Sequence, residues 1–512
     1  MSDFTELVDL AAERLGGAVL WATDDFFAEK ENLLKPTEAV FIDGKYTDRG
    51  KWMDGWESRR KRNYAESTLA FPEHDYAIIR LGLPGIVKGF VVDTAHFKGN
   101  YPKSCTIEGA SIPGYPHVNE LTSDKVKWTP ILPKTDLKGD SKNLFEVKSD
   151  QRFTHLRFWI HPDGGVARLR VHGIVVPHAR WLGKKERPQL VDLAAAENGG
   201  LVIARNDEFF GSRHNLIMPG RGVNMGDGWE TKRSRRAGPD WVVLRLATEG
   251  VIERAVVDTL HFKGNAPDAC AIEVMRSESD PDGAKDEGWR PLLSKTNLQP
   301  HTEHVFEDDG PHGSGLLGDA GPATHVRMRI WPDGGISRLR LHAVPTAEGR
   351  ERAGLRYLRA MPEPELRVAL KACCGCEAWV DAMVKERPFG DLATLMKRAA
   401  EIWNAFGQKE FDEAFSAHPR IGDRKAGGTP GKEQARVAEA SQAVLDDLKK
   451  ANEDYEKKFG RIYIVCATGK SAEEMLAIAR ERMANDPDTE LRRAADEQRK
   501  ITELRLDKLV NR

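Results

Sequence analysis

Apolar and polar positions alternate with a period of two through the first two thirds of the chain. Leu156, Phe158 and Ile160 are separated by polar or outward residues, and Val326, Met328 and Ile330 repeat the pattern. Alternation of this kind marks half-buried strands. Pro162-Asp163-Gly164-Gly165 follows the first run, and Leu169 and Val171 then alternate with Arg168 and Arg170, which predicts a hairpin. Residues 76–81 and 86–94 are further β-rich runs between turn signals. Near residue 346 the period changes. Val437, Ala440, Val444, Leu448, Ala451, Tyr455 and Phe459 recur at three- and four-residue steps, and Gly460 supplies the stop of a helix. More helices are predicted around 364–386, 391–406, 471–485 and 487–510, with 462–467 as the best short β-like run.

The β-rich part is written twice. Leu7-Val8-Asp9-Leu10-Ala11-Ala12 returns 183 residues later as Leu190-Val191-Asp192-Leu193-Ala194-Ala195. Asp54-Gly55-Trp56-Glu57 returns at an offset of 173 as Asp227-Gly228-Trp229-Glu230. Asp93-Thr94-Ala95-His96-Phe97-Lys98-Gly99-Asn100 returns at 165 as Asp258-Thr259-Leu260-His261-Phe262-Lys263-Gly264-Asn265. Pro162-Asp163-Gly164-Gly165 returns at 170 as Pro332-Asp333-Gly334-Gly335. Order is kept while the offset drifts, so loops changed length and a scaffold did not. A repeat this long makes each copy a domain with its own core. The expected fold is multidomain: two tandem β-sandwiches of jelly-roll type (1–182 and 183–346), then an all-α domain (347–512).

Composition narrows the partners. Lys plus Arg number 77 and Asp plus Glu 79 in 512 residues, a formal charge of −2. That balance gives no reason to expect nucleic acid or an anionic membrane, and small molecules become the expected ligands. The six cysteines are too sparse for a disulfide scaffold. No apolar run nears the ~20 residues of a membrane span, and no basic-then-apolar leader is visible, so a cytoplasmic enzyme is expected. Assembly as a homo-oligomer is also expected.

Two polar clusters stand out in the repeats. Asp54 and Glu57 lie beside Arg59, Arg60 and Arg62, answered by Asp227 and Glu230 beside Arg233, Arg235 and Arg236. Arginines grouped with carboxylates suit a substrate bearing a carboxylate and hydrogen-bonding amides, although a surface ion-pair network would look the same. A strand through His-Phe-Lys-Gly-Asn would put His96, Lys98 and Asn100 (His261, Lys263 and Asn265 in the second copy) on one face. Trp56 and Trp229 read as packing residues, and Asp93 and Asp258 as Asx turns. Among the helices, Cys373, Cys374 and Cys376 read as buried thiols, and Trp379 and Trp403 as core.

With these motifs in hand, residues 5–345 resemble the allantoicase family. That resemblance implies two jelly-roll domains related to galactose-binding modules and hydrolysis of allantoate to ureidoglycolate and urea. The reaction needs a proton donor for the departing urea and a base or metal for water. His96 or His261, beside Asp54 and Glu57 or Asp227 and Glu230, could supply the proton transfer. A divalent metal is left open, because no compact ligand spacing identifies one. The alternative is a tandem of non-catalytic ligand-binding β-sandwich modules.

In the helical third, chemistry gathers in Ser416-Ala417-His418-Pro419-Arg420-Ile421-Gly422. A residue preceding proline is pushed from helical geometry, so His418 sits at a helix-to-loop junction with an imidazole able to titrate near neutrality. Glu433 and Gln434 follow at the start of the next helix. Together with Trp379-Val380, Arg387-Pro388-Phe389, Tyr455 to Gly460, Thr468 to Ser471 and Leu504-Arg505-Leu506, this resembles OHCU decarboxylase, an all-α family that needs no cofactor. OHCU is 2-oxo-4-hydroxy-4-carboxy-5-ureidoimidazoline. The resemblance implies its decarboxylation to (S)-allantoin, with His418 beside Pro419 central, Glu433 and Gln434 on the ureido-imidazoline, and Arg505 on the carboxylate. Pro430, with Thr429 beside it, stands where the family often has Ser. That departure puts one hydrogen bond to substrate in doubt.

Overall fold

The computed structural model describes residues 3–61, 73–182, 187, 189–234, 238–307, 316–419 and 442–511. Its contacts divide into two compact units, Met1–Ala360 and Met361–Arg512.

The first unit contains both repeats. In repeat 1 the strands are β1 (Val8–Asp9), β2 (Ala18–Ala22), β3 (Asp75–Asp93), β4 (Ser104–Ala110), β5 (Thr129–Asp136), β6 (Lys142–Glu146), β7 (Arg152–His161) and β8 (Arg168–Val175). All neighbours are antiparallel, in the order β1-β8-β3-β7-β4-β5, with β2 and β6 also on β3. The long strand β3 organises the sandwich. Its first half pairs with β7 (Ile79 opposite Leu156) and β2, and its second half with β8 (Val92 opposite Leu169) and β6. One strand therefore runs through both layers, and the runs 76–81 and 86–94 are two ends of it. Repeat 2 has the same order with β9 (Val191–Asp192), β10 (Leu201–Arg205), β11 (Asp240–Asp258), β12 (Ala269–Met275), β13 (Arg290–Asn297), β14 (Glu303–Glu307), β15 (Ala323–Trp331) and β16 (Arg338–Pro345).

This topology corrects the predicted hairpin. The strands flanking Pro-Asp-Gly-Gly, β7 and β8, each pair with β3 but not with each other. The turn carries the chain from one layer to the other. The alternation itself holds: Leu156, Phe158 and Ile160 are fully buried, as are Val326, Met328 and Ile330. Each such side chain contributes about 1.5–3 kcal/mol on burial. A single apolar cluster runs from Leu10, Trp56 and Phe90 of repeat 1 to Leu193, Trp229 and Leu244 of repeat 2. The copies thus share one continuous core rather than holding two separate ones.

Helix α1 (Ala347–Ala360) packs on β11 and buries Ala353, Leu355 and Leu358. It belongs to the β unit, so the division falls at Ala360/Met361 and not at 346/347.

The second unit is helical: α2 (Glu363–Cys373), α3 (Glu377–Lys385), α4 (Leu392–Asn404), α5 (Gln408–Ser416), α6 (Gln442–Phe459), α7 (Ala472–Arg482) and α8 (Pro487–Val510). Helix α8 packs against α2, α4 and α5, while α6 packs on α7. Trp379 and Trp403 are core, and the Trp403 indole donates to the Ala495 carbonyl at 2.9 Å. Gly460 takes a left-handed φ of 69° and closes α6. Three expectations change. The helix read over 364–386 is broken at Cys374–Cys376, so two of the three buried thiols flank a turn. The helix α5 was not anticipated. The run 462–467 is buried at Tyr463, Ile464, Val465 and Cys466, yet forms no strand. Its backbone is met by side chains instead: Arg482 donates to the Ile464 carbonyl at 2.7 Å, and Glu497 accepts the Cys466 N–H at 2.9 Å. The cationic Arg482 is itself buried against Glu490 at 2.8 Å. Among the described residues no helix is long and apolar enough to cross a membrane.

Candidate functional site

Three of the repeated motifs meet at one place in repeat 1. Trp56–Glu57 pairs as a short strand with Gly165–Val166, Glu57 opposite Gly165. On the other side of that turn, the Gly165 N–H donates to the Asn100 carbonyl at 2.7 Å. Gly165 is required by the approach: a Cβ there would lie 1.9 Å from the buried Phe97 ring. The Pro-Asp-Gly-Gly turn is thereby held between the other two motifs, and it brings the Asn100 side chain to Glu57. Asn100 Nδ2 donates to Glu57 Oε1 at 2.7 Å.

This pair lies in a cavity of about 550 Å3, lined also by Phe26, Phe27, Arg59, Arg60 and Tyr101. Burial pushes the Glu57 carboxyl above the usual carboxylate range, and the Asn100 N–H only partly opposes that. Arg59 is tied down, its Nε donating to Asp24 at 2.9 Å, whereas Arg60 is exposed at the cavity edge. The cavity floor is braced by Asp163, which accepts the Lys61 N–H at 2.6 Å, and by a buried Lys61–Asp75 pair at 2.8 Å. A carboxyl of raised pKa, an oriented amide and an arginine around one cavity can bind a carboxylate, hydrogen-bond a ureido group and move a proton.

The other residues expected here are elsewhere. Asp54 is buried against Arg168 at 2.8 Å and accepts the Val40 N–H at 3.0 Å. Burial raises its pKa, but Arg168, the Val40 N–H and Lys35 together outweigh that and hold the carboxyl below its usual range. It anchors a loop. Asp227 does the same with Arg338 at 2.9 Å and the Val223 N–H at 3.1 Å, and repeat 1 reaches across to it through Arg14. His96 does not share a strand face with Lys98 and Asn100, because β3 ends at Asp93 and the chain turns. His96 has a φ of 68° and its ring donates to the Ala39 carbonyl at 3.1 Å. His261 has a φ of 72° and donates to the Gly222 carbonyl at 2.9 Å. Neither imidazole accompanies a carboxylate as expected. Lys98 points to Asp140 at 3.9 Å, and Lys263 is exposed. Asp93 and Asp258 do make Asx turns, accepting the N–H two residues on at 2.8 and 2.9 Å.

Sequence reading missed Asp24, Phe26, Phe27 and Tyr101. A signal was present for three of them, since Asp24-Asp25-Phe26-Phe27 returns as Asp207-Glu208-Phe209-Phe210 at the offset of the first motif, 183. Among the described residues no three His, Cys, Asp or Glu side chains gather as a metal-binding group.

In the helical unit, His418 follows α5 and its N–H donates to the Phe415 carbonyl at 3.0 Å. The turn between α2 and α3 links it to α8. Gly375 packs so closely on Ala417 that a Cβ would lie 2.4 Å from the Ala417 methyl. From α8, Arg505 donates to the Ala372 carbonyl at 3.3 Å and Thr502 to the Cys373 carbonyl at 3.5 Å. The segments bearing His418 and Arg505 thus pack on one turn. Glu433 and Gln434 lie outside the described residues, as do Thr429, Pro430, Arg62, Arg235, Arg236 and the start of the helix read from Val437.

Comparison with known proteins decides the family. Residues 8–176 and 191–346 match the allantoicase repeat, and residues 359–507 match OHCU decarboxylase. The chain belongs to the allantoicase family, with an OHCU decarboxylase domain behind the repeats. An allantoicase of Dictyostelium discoideum is 46% identical over 340 residues, spanning 66% of this chain and 87% of that protein. The crystal structure of Saccharomyces cerevisiae allantoicase is 34% identical with a TM-score of 0.54, covering 66% of this chain and 92% of that one. A crystal structure of OHCU decarboxylase in the presence of (S)-allantoin is 39% identical over 28% of this chain and 96% of that one, with a TM-score of 0.26. The allantoicase repeats and the decarboxylase domain are enzymes, which sets aside the reading of the repeats as non-catalytic modules.

Proposed function

We propose that the chain carries two activities of ureide breakdown: hydrolysis of allantoate to ureidoglycolate and urea in the Glu57 cavity, and decarboxylation of OHCU to (S)-allantoin at His418. The setting that fits both substrates is purine and uric acid catabolism in the cytoplasm.

Allantoate has one carboxylate and two ureido groups on a single carbon. In this reading Arg60 holds the carboxylate, and Asn100 fixes the Glu57 carboxyl against a ureido group. Water attacks the central carbon, and the bond from that carbon to one ureido nitrogen breaks. Glu57, ionised at the start, takes the proton from water and passes it to the departing nitrogen, so urea leaves neutral and Glu57 ends ionised. A carboxyl whose pKa is raised by burial suits both halves of that transfer. A bound metal would need several convergent donors. The described residues around the cavity offer Glu57 and Asp163, the latter engaged by a backbone N–H, so no step is routed through one.

In the decarboxylase the bond from the ring carbon to the carboxylate breaks, carbon dioxide leaves, and the electron pair is stored in the adjacent imine-type ring until that carbon is protonated. His418 serves the proton transfer and Arg505 the carboxylate, with Glu433 and Gln434 on the ureido-imidazoline.

The observation that carries the hydrolase is the Glu57–Asn100 pair inside a cavity edged by Arg60. Urea release from allantoate by full-length Glu57→Gln, with and without chelator, tests it. A fall of at least ~10²-fold in kcat is expected from losing positioned proton transfer, and a wild-type rate would refute the assignment. For the decarboxylase, His418→Asn should abolish (S)-specific allantoin formation while the hydrolase continues.

A further inference from the structure

The polar framework around Glu57 is built a second time. In repeat 2, Asn265 Nδ2 donates to Glu230 Oε1 at 2.6 Å, as Asn100 does to Glu57 at 2.7 Å. Asp333 accepts the Ser234 N–H at 2.7 Å, as Asp163 accepts the Lys61 N–H at 2.6 Å. The Trp229 indole donates to the Asp207 carbonyl at 2.9 Å, as that of Trp56 does to Asp24 at 2.8 Å. Phe209 and Phe210 meet edge to face at 4.7 Å, as Phe26 and Phe27 do at 5.2 Å. Arg233 follows Glu230 at the spacing at which Arg60 follows Glu57.

What differs is one pair in the floor and the rim. Ser234 stands where Lys61 pairs with Asp75, and Asp240 accepts from Asn206 Nδ2 at 2.7 Å instead. Repeat 1 has a small hairpin, Tyr46–Thr47 with Gly50–Lys51, whose Arg49 donates to the Phe26 carbonyl at 3.3 Å. The drop in offset from 183 to 173 means that repeat 2 has ten fewer residues in this stretch, and no such hairpin forms among its described residues. Its Phe209 and Phe210 are 69% and 63% exposed, against 39% and 37% for Phe26 and Phe27. Tyr101, on the cavity wall of repeat 1, is answered by Ala266, and Arg59 by Lys232.

A duplication kept only for its fold has no need of these groups. A partly buried carboxylate costs desolvation that one amide hydrogen bond offsets only in part, and an adjacent pair of phenylalanines left exposed marks a contact surface. Trp229 lies in the shared core and Phe262 is buried against the Gly335 turn, and neither packing role requires the Glu230 or Arg233 side chain. We propose that repeat 2 holds a second binding site for ureido-carboxylates, wider and more open than the first. Glu230 and Asn265 meet the ureido group, Arg233 meets the carboxylate, and Phe209 and Phe210 form an apolar wall. This rests on reading the Glu57 cavity as a ureide site.

Hydantoate (N-carbamoylglycine) tests it, because it carries one carboxylate and one ureido group but lacks the carbon bearing two ureido nitrogens. Calorimetric titration of the full-length chain would compare wild type with Arg233→Ala, Glu230→Ala and Arg60→Ala. Arg233 is exposed, so its replacement leaves folding intact. The expected result is one equivalent fewer bound by Arg233→Ala and by Glu230→Ala than by wild type, and retention of that equivalent in Arg60→Ala. The same number bound by wild type and by both repeat-2 variants would overturn the second site. The reading of the first site stands or falls separately, on urea release by Glu57→Gln.

Discussion

Repeat 1 and repeat 2 keep the same buried framework and diverge at the surface around it. Each closes a Pro-Asp-Gly-Gly turn between a Trp-Glu strand and an Asn-bearing loop, and each fits a glycine against a phenylalanine ring at Gly165 or Gly335. The aspartates that looked catalytic, Asp54 and Asp227, belong to the framework: they fasten loops through buried arginines. Divergence near the cavity includes a hairpin, a Tyr-to-Ala and an Arg-to-Lys exchange at the rim, and the replacement of Lys61, paired with Asp75, by Ser234. The lesson is that duplication separates two kinds of polar residue. Those sealed against a buried arginine in both copies, Asp54 on Arg168 and Asp227 on Arg338, hold loops, whereas the Glu57–Asn100 pair borders a cavity, where the proposed chemistry sits.

The largest effect that would test this division is on stability. Arg168→Ala leaves the buried Asp54 with the Val40 N–H and, as its remaining cation, a half-exposed Lys35 at 3.6 Å, which should cost about 3–5 kcal/mol by chemical denaturation. Arg338→Ala should cost less, because Arg14 still faces Asp227. Equal losses would mean that the cross-repeat contact contributes nothing. Next, Gly165→Ala and Gly335→Ala each force a methyl into a phenylalanine ring and should each destabilise by about 1–3 kcal/mol. A large effect in one copy alone would break the claim of a common framework.

A smaller effect concerns pH. Asn100 donates to the Glu57 carboxylate and so favours its charged form. Its loss in Asn100→Ala should move the Glu57 pKa further up, and the acid limb of the urea-release profile should shift to higher pH. The same substitution at Asn265 should leave that limb in place. The smallest effect is at the rim: Tyr101→Ala makes repeat 1 resemble repeat 2 and should raise KM a few-fold at little change in kcat, the loss of ~1 kcal/mol of uniform contact.

Much of this was legible in the sequence, because strand alternation, the double copy and the motif pairs are local signals. Residues 76–94 were not read as one strand, since Gly82 to Gly85 with Pro84 looks like a turn. It is instead the corner where a continuing strand passes between layers, with Gly85 against the Ile174 carbonyl. The left-handed φ of His96 and His261 has no sequence signature, so both rings were placed on a strand face and then in the site. Glu57 and Asn100 were found as members of different clusters. Their meeting depends on the Gly165 turn, a long-range fact that no spacing displays. In the helical unit the 3.6-residue period located most helices, while the break at Gly375 reflects a tertiary contact with Ala417.

The central claim is that Glu57, and not Asp54, His96 or Glu230, performs the proton transfer of allantoate hydrolysis. The most direct measurement is kcat for urea release by full-length Glu57→Gln beside Glu230→Gln, each confirmed folded by its denaturation midpoint. The account predicts a loss of at least ~10²-fold for Glu57→Gln and less than ~10-fold for Glu230→Gln. Full activity in Glu57→Gln, or the larger loss in Glu230→Gln, would contradict it.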